Sequence, residues 1–215
     1  MTMVTKVLVV SDVELDSIYN LSIQQKFKDI NFVISCGDLS YDYLEYIISS
    51  LNVPLYYVRG NHAHAYQRGT EGVHTHPWGG IDLHKVSCID QTGLLLAGIQ
   101  GSILYNYRPY QYTQAEMWRY VIKLVPSLLS NYIKYKRYLD IFVTHAPPWG
   151  IHDAQDLPHH GVKAFRWLLQ TFHPRYHLHG HVYSHNPKNE LVTKFVATQV
   201  INTHGYRSLK MNEQP

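Results

Sequence analysis

Five short polar signatures occur in a fixed order along this chain, each directly after an apolar run. They are Asp12-Val13-Glu14, Gly37-Asp38, Gly60-Asn61-His62, Thr144-His145 and His179-Gly180-His181. A short apolar run that stops at Gly, Asp or Asn reads as a buried strand meeting its loop. In an open α/β sheet, the carboxyl ends of strands are where ligand sites collect. One Asp after a strand is as readily a turn former or a helix N-cap. Five such ends, dominated by carboxylate, amide and imidazole groups, describe a single site assembled from separate strands. Those groups bind metals and move protons.

The intervening sequence supports that reading. Residues 6–11, 32–35 and 55–58 read as strands, with helices over 17–29 and 41–50 between them. This alternation predicts parallel strands joined by crossovers. Residues 63–80 break the rhythm and read as a long surface loop of the kind that is often functional. Residues 81–90 and 93–99 read as two strands joined by a turn at Gln91-Thr92-Gly93. The aromatic stretch 105–110 reads as either a lid or a packed surface loop. Thr113 and Glu116 form a capping box, so a helix starts there and runs to about residue 138, kinked or broken at Pro126. A strand at 141–143, a helix at 161–172, a strand at 176–178 and closing antiparallel strands at 190–195 and 199–202 complete the series. There is no repeat or linker, and 215 residues suit one domain, 1–215.

Composition excludes several classes. The net charge is +3 without a Lys/Arg block, which argues against a nucleic-acid groove. No apolar run reaches membrane-spanning length, and no secretory leader pattern is visible, so a cytoplasmic protein is expected. Of the two cysteines, Cys36 lies in an apolar run and reads as a buried free thiol. The 15 histidines are unusually many. His177 and His179 alternate with Tyr176 and Leu178 and read as strand side chains. His64, His74, His76, His152, His159 and His160 fall in loops and read as exposed, with a cluster at a cleft mouth as the alternative.

The ordered signatures resemble those of the calcineurin-like metallophosphoesterase family: D-x-H, G-D, G-N-H, a lone H after a strand, and G-H-x-H. The resemblance runs from residue 7 to about residue 182. It implies a sandwich of two mixed β-sheets flanked by helices. It also implies hydrolysis of phosphomonoesters or phosphodiesters, with two divalent metals about 3.5–4 Å apart. Carried over residue by residue, one metal takes Asp38, Asn61, His145 and His181. The other takes Asp12, residue 14, the shared Asp38 and the last histidine of the series. The resemblance further implies that a hydroxide between the metals attacks phosphorus and that His62 protonates the leaving oxygen. The implied partner is a small phosphate ester; nothing in the sequence points to nucleic acid, a membrane or a particular oligomer.

Two positions depart from the family pattern. Glu14 stands where histidine is usual, and Tyr183 stands at the last histidine. Glu14 offers oxygen, which points to Mn or Fe, with Zn as the alternative. A phenol, with a reference pKa of about 10, is a poor ligand. His185, two residues on, is the other candidate. One of the two metal positions is therefore expected to be weak or empty. Arg59 and Arg108 are candidates to contact substrate phosphate, although Arg59 reads equally as a strand-end ion-pair partner. The rival reading is an inactive member of the same fold that binds a ligand or a protein. Glu14 and Tyr183 favour it; His62 and the complete first ligand set oppose it.

Overall fold

The computed structural model describes residues 4–63, 66–69, 72–183 and 192–212. His64 and His185, both considered above, lie outside the described residues. Two large sheets dominate. The first contains β1 (Val4–Ser11), β2 (Phe32–Ser35), β3 (Leu55–Tyr57), β4 (Gly80–Asp82) and β11 (Gly205–Asn212), in the order β11-β1-β2-β3-β4. Pairing is parallel except where β11 runs antiparallel along β1. The second contains β5 (Ser87–Ile89), β6 (Leu95–Ile99), β7 (Ile141–Thr144), β8 (Tyr176–His179), β9 (Val192–Phe195) and β10 (Thr198–Asn202), in the order β9-β10-β8-β7-β6-β5. Its four central strands are parallel and its two edge strands antiparallel.

Side chains alternate across a strand, so each sheet feeds two cores. Val7 and Val9 of β1 join Ile141 and Val143 of β7 in a core between the sheets. Leu8 and Val10 face outward against Ile23 of α1 (Ile23–Lys26) and Tyr43, Leu44 and Ile47 of α2 (Tyr41–Leu51). On the far side, Ala97 and Phe142 pack against Val121 and Leu124 of α3 (Gln114–Tyr135) and Phe165 and Leu168 of α4 (Lys163–Phe172). The result is a mixed α/β sandwich of two sheets flanked by helices, as the resemblance implies. Both cysteines are free, and Cys36 is buried.

Several local expectations are corrected. The helix expected over 17–29 shrinks to Ile23–Lys26. Asn20 explains this: its side-chain oxygen takes the backbone N–H of Ser22 at 2.8 Å, a local bond that competes with helix. Residues 81–90 are not one strand; Lys85 adopts φ 63°, and the flanking segments join different sheets. Within 63–80 there is a small hairpin, Gln67–Gly69 with Gly72–His74. Helix α3 begins with the expected capping box and continues through Pro126 to Tyr135. Pro126 lies on the exposed face, where the carbonyl four residues earlier can bond water instead. No described helix is long and apolar enough to cross a membrane.

Candidate metal centre

All five signatures fall at strand carboxyl ends. Asp12 follows β1, Asp38 follows β2, Asn61 and His62 follow β3, His145 follows β7 and His181 follows β8. The turns are tight. Asp12, Asp38 and His181 take the left-handed conformation, with φ of 66°, 58° and 68°. For side chains other than glycine this is costly, and such strain collects at functional sites. Close approach accounts for two glycines. A Cβ at Gly60 would sit 2.0 Å from Asp38 Oδ1, and one at Gly180 would sit 2.4 Å from Asp12 Oδ2.

The centre is built around His145, which is fully buried. Its Nδ1 lies 2.8 Å from the Cys36 carbonyl, an acceptor only, so Nδ1 carries a proton and donates there. Its Nε2 then faces Asn61 Oδ1 at 2.9 Å and Asp38 Oδ2 at 3.1 Å. The Asn61 orientation is set by its Nδ2–H, which donates to the Tyr105 hydroxyl at 2.9 Å. Nε2 of a neutral His145, an amide oxygen and a carboxylate oxygen are all acceptors. Three acceptors facing one another require a cation between them, either a proton or a metal. Without metal, the proton takes that place. Burial opposes a charged His145, but the Asp38 carboxylate beside it raises its pKa to about 9. Burial likewise opposes the Asp38 charge, and His145 overrides it, bringing that carboxyl down to about 2.

His181 completes the set. Its Nε2–H donates to the Pro158 carbonyl at 2.6 Å, which leaves the Nδ1 lone pair as its ligand atom. Burial and the neighbouring His145 lower its pKa to about 4, so the ring is neutral. Ligand atoms of Asp38, His145 and His181 all lie within 4.8 Å of one another. This donor set, two imidazoles with a carboxylate and an amide oxygen, fits a divalent transition metal.

Beside it opens a cavity of about 410 Å³ lined by Asp12, Asp38, His62, Tyr105, Pro158, His159 and His181. His62 is exposed at its edge, and its backbone N–H donates to Asp38 Oδ1 at 2.8 Å. The expected second ligand set is less compact. Both oxygens of Asp12 accept from the His181 backbone N–H, at 3.0 and 3.2 Å. Glu14 is exposed, and its Oε1 accepts from the Ser40 N–H at 3.0 Å, just ahead of α2. The Tyr183 side chain is 59% exposed. Its ring packs edge-on against His204, centroids 5.1 Å apart.

The other candidates divide. Arg59 is engaged with the Asp82 carboxylate, the Tyr57 hydroxyl at 3.2 Å and the Thr75 carbonyl at 3.1 Å. Arg108 is exposed, its backbone N–H 3.4 Å from Asn106 Oδ1. Neither lines the cavity. His159 does line it. His74, expected to be exposed, is buried and stacks on Trp78, with Nδ1 3.2 Å from Glu45. His152, also expected in solvent, is half-buried, with Nδ1 2.9 Å from Nε2 of the buried His179.

Two residues of the centre escape the sequence reading. Tyr105 reads as part of an aromatic loop, and nothing in its spacing marks it as the partner of Asn61. His204 follows β10 in the context Val200-Ile201-Asn202-Thr203-His204, an apolar run ending in Thr-His, as at Thr144-His145. That repetition is the available signal.

Comparison with known proteins agrees with the geometry. The sequence matches the model of the calcineurin-like phosphoesterase family over residues 5–185. No curated protein matches it significantly. Among solved structures, TT1561 of Thermus thermophilus is similar at 14% identity and a TM-score of 0.63, over 98% of this chain and 99% of that one. GAP50, the anchor in the inner membrane complex of Plasmodium, is similar at 15% identity and a TM-score of 0.52, over 93% of this chain and 71% of that one. At these identities the structural matches speak for the fold alone. The family match covers most of the chain and spans all five signatures, and the chain therefore belongs to the calcineurin-like phosphoesterase family, a family of metal-dependent phosphoester hydrolases.

Proposed function

We propose that this protein hydrolyses a small phosphomonoester or phosphodiester at the cavity beside Asp38, with His62 as the general acid. The observation that carries the reading is the cluster of acceptors around His145 Nε2: Asp38 Oδ2, Asn61 Oδ1 and, close by, the His181 ring. Asp38, Asn61, His145 and His181 would hold one metal, and Asp12 with Asp38 the other; Mn or Fe suits this oxygen-rich set, with Zn as the alternative. When bound, the metals supply positive charge for the phosphoryl oxygens and lower the pKa of water.

The chain itself supplies placement and a proton. Asp38 fixes the backbone of His62 through the N–H it accepts, which sets the ring at the cavity edge. There the imidazole can donate to a departing alkoxide, a contribution commonly worth about 10²–10⁴-fold. Tyr105 holds the Asn61 amide so that its oxygen, not its nitrogen, faces His145. His159, on the cavity wall, adds a further donor for an anionic substrate.

The test is turnover of 4-nitrophenyl phosphate and bis(4-nitrophenyl) phosphate by protein reconstituted with Mn²⁺. Activity toward one of them, abolished by chelation, is expected. The half-saturating Mn²⁺ concentration should fall as pH rises from 6 to 9, because the metal must displace the proton that His145 holds up to about pH 9. A metal requirement that ignores pH, or turnover that survives chelation, would contradict the reading. The inactive-scaffold alternative draws support from one feature, the engagement of Glu14 by Ser40. It predicts Mn²⁺ uptake without turnover of any phosphate ester.

A further inference from the structure

The second metal position lacks the histidines that the family pattern leads one to expect at residues 14 and 183. The Glu14 carboxylate is engaged at the start of α2, and Tyr183 carries a phenol. Another imidazole, that of His204, lies close to Asp12 in the short crossing between two strands. Strand β10 ends at Asn202 beside β8, with Asn202 in register with His179. Strand β11 begins at Gly205 beside β1, with Gly205 in register with Ser11. Only Thr203 and His204 separate them, so the chain crosses from one sheet to the other immediately beside Asp12 and Gly180.

The crossing is held firmly. The Thr203 N–H and hydroxyl both donate to the His179 carbonyl, at 2.7 and 2.9 Å. The Asn202 side chain takes the His204 N–H at 3.0 Å and donates to the Val182 carbonyl at 2.7 Å. His204 Nδ1 is thereby placed 3.6 Å from Asp12 Oδ2. That is too long for a hydrogen bond. The Nδ1 atom is nevertheless buried and has no hydrogen-bond partner. The nitrogen faces the carboxylate at ion-pair distance. Burial opposes the Asp12 charge, and the contact helps hold that carboxyl below its ordinary value, but it is not closed by a hydrogen bond of normal length. Two ligand bonds of about 2.1 Å each would span 3.6 Å at an angle of roughly 120°. The separation therefore leaves room for an ion between the two atoms.

We infer that His204 supplies the nitrogen ligand of the second metal position, beside Asp12 and the shared Asp38, in place of the histidines replaced by Glu14 and Tyr183. Tyr183 then has a different role: its ring buttresses the His204 imidazole edge-on. Asp12, Asp38 and His204 are not drawn together as closely as Asp38, His145 and His181, which alone near the cavity bring three ligand atoms within 4.8 Å among the described residues. The second position is accordingly the weaker one. This inference rests on the metal-centre reading above.

Equilibrium dialysis of the metal-free protein against Mn²⁺ separates the two. The wild-type chain should take up two equivalents, one tight and one weak. His204→Gln should keep the tight equivalent, which also reports an intact fold, and loosen the weak one by about 100-fold, the upper end of what even outer-shell changes cost. His204→Gly should do the same and recover the weak equivalent when imidazole is added. Two equivalents of unchanged affinity in the Gln variant, or a single equivalent in the wild type, would overturn the role of His204 and leave the first metal site standing. No Mn²⁺ uptake by the wild type would overturn the metal centre itself, and this inference with it.

Discussion

Asp38→Asn is expected to abolish turnover, with a loss of about 10⁴-fold or more, the scale seen when one member of a jointly acting set is removed. The carboxylate is the shared element of the centre. It lies 3.1 Å from His145 Nε2, and its other oxygen accepts the His62 N–H. An amide preserves the shape but removes the negative charge that two cations would share. Bound Mn²⁺ should fall below one equivalent by elemental analysis. Stability of the metal-free protein gives an independent check with a defined sign. His145 has its folded pKa raised to about 9, so its charged pairing with Asp38 stabilises fully below the unfolded value and is lost as pH rises through 9. Asp38 is lowered to about 2, so its share is lost as pH falls through 2. The difference in melting temperature between wild type and Asp38→Asn should therefore be constant at mildly acid pH below the ordinary histidine value of 6.5, shrink as pH rises from there to about 9, and level off above it. A pH-independent difference would show that the two groups are not coupled.

His62→Ala is the second large effect, and its signature is selectivity. An alkyl phosphate needs its leaving oxygen protonated, whereas a 4-nitrophenolate leaves readily without help. The substitution should cost about 10²–10⁴-fold on the alkyl ester and far less on the aryl ester. Metal content should stay unchanged, because the contact to Asp38 is made by the backbone N–H, which alanine retains. Equal losses on both esters would remove His62 from the role of proton donor.

Much of the centre is legible because strand ends announce themselves: a buried apolar run must stop, and the residues that stop it are few. That logic places Asp12, Asp38, Asn61, His145 and His181 around one point. It fails where the local pattern is weak. Strand β11 mixes Arg207 and Lys210 with Leu209 and Met211, since it pairs antiparallel at a sheet edge with one side half-open. Without that strand, the crossing at 203–204 and the placement of His204 cannot be foreseen. The 81–90 segment carries apolar residues throughout, and nothing in them marks the left-handed turn at Lys85 that sends its halves to different sheets. Glu14 illustrates a different limit. Its position in the signature suggests a ligand, but a carboxylate near a helix start also satisfies a free backbone N–H there, and in the fold it bonds Ser40.

The central claim is that a divalent metal occupies the point where Asp38, Asn61, His145 and His181 converge. Anomalous diffraction at the manganese absorption edge, from crystals of the full chain grown with Mn²⁺, tests it most directly. The account predicts a strong peak at about 2.0–2.3 Å from Asp38 Oδ2, Asn61 Oδ1, His145 Nε2 and His181 Nδ1. A map without a peak there at saturating Mn²⁺, with His145 Nε2 still bonded to Asp38, would contradict it.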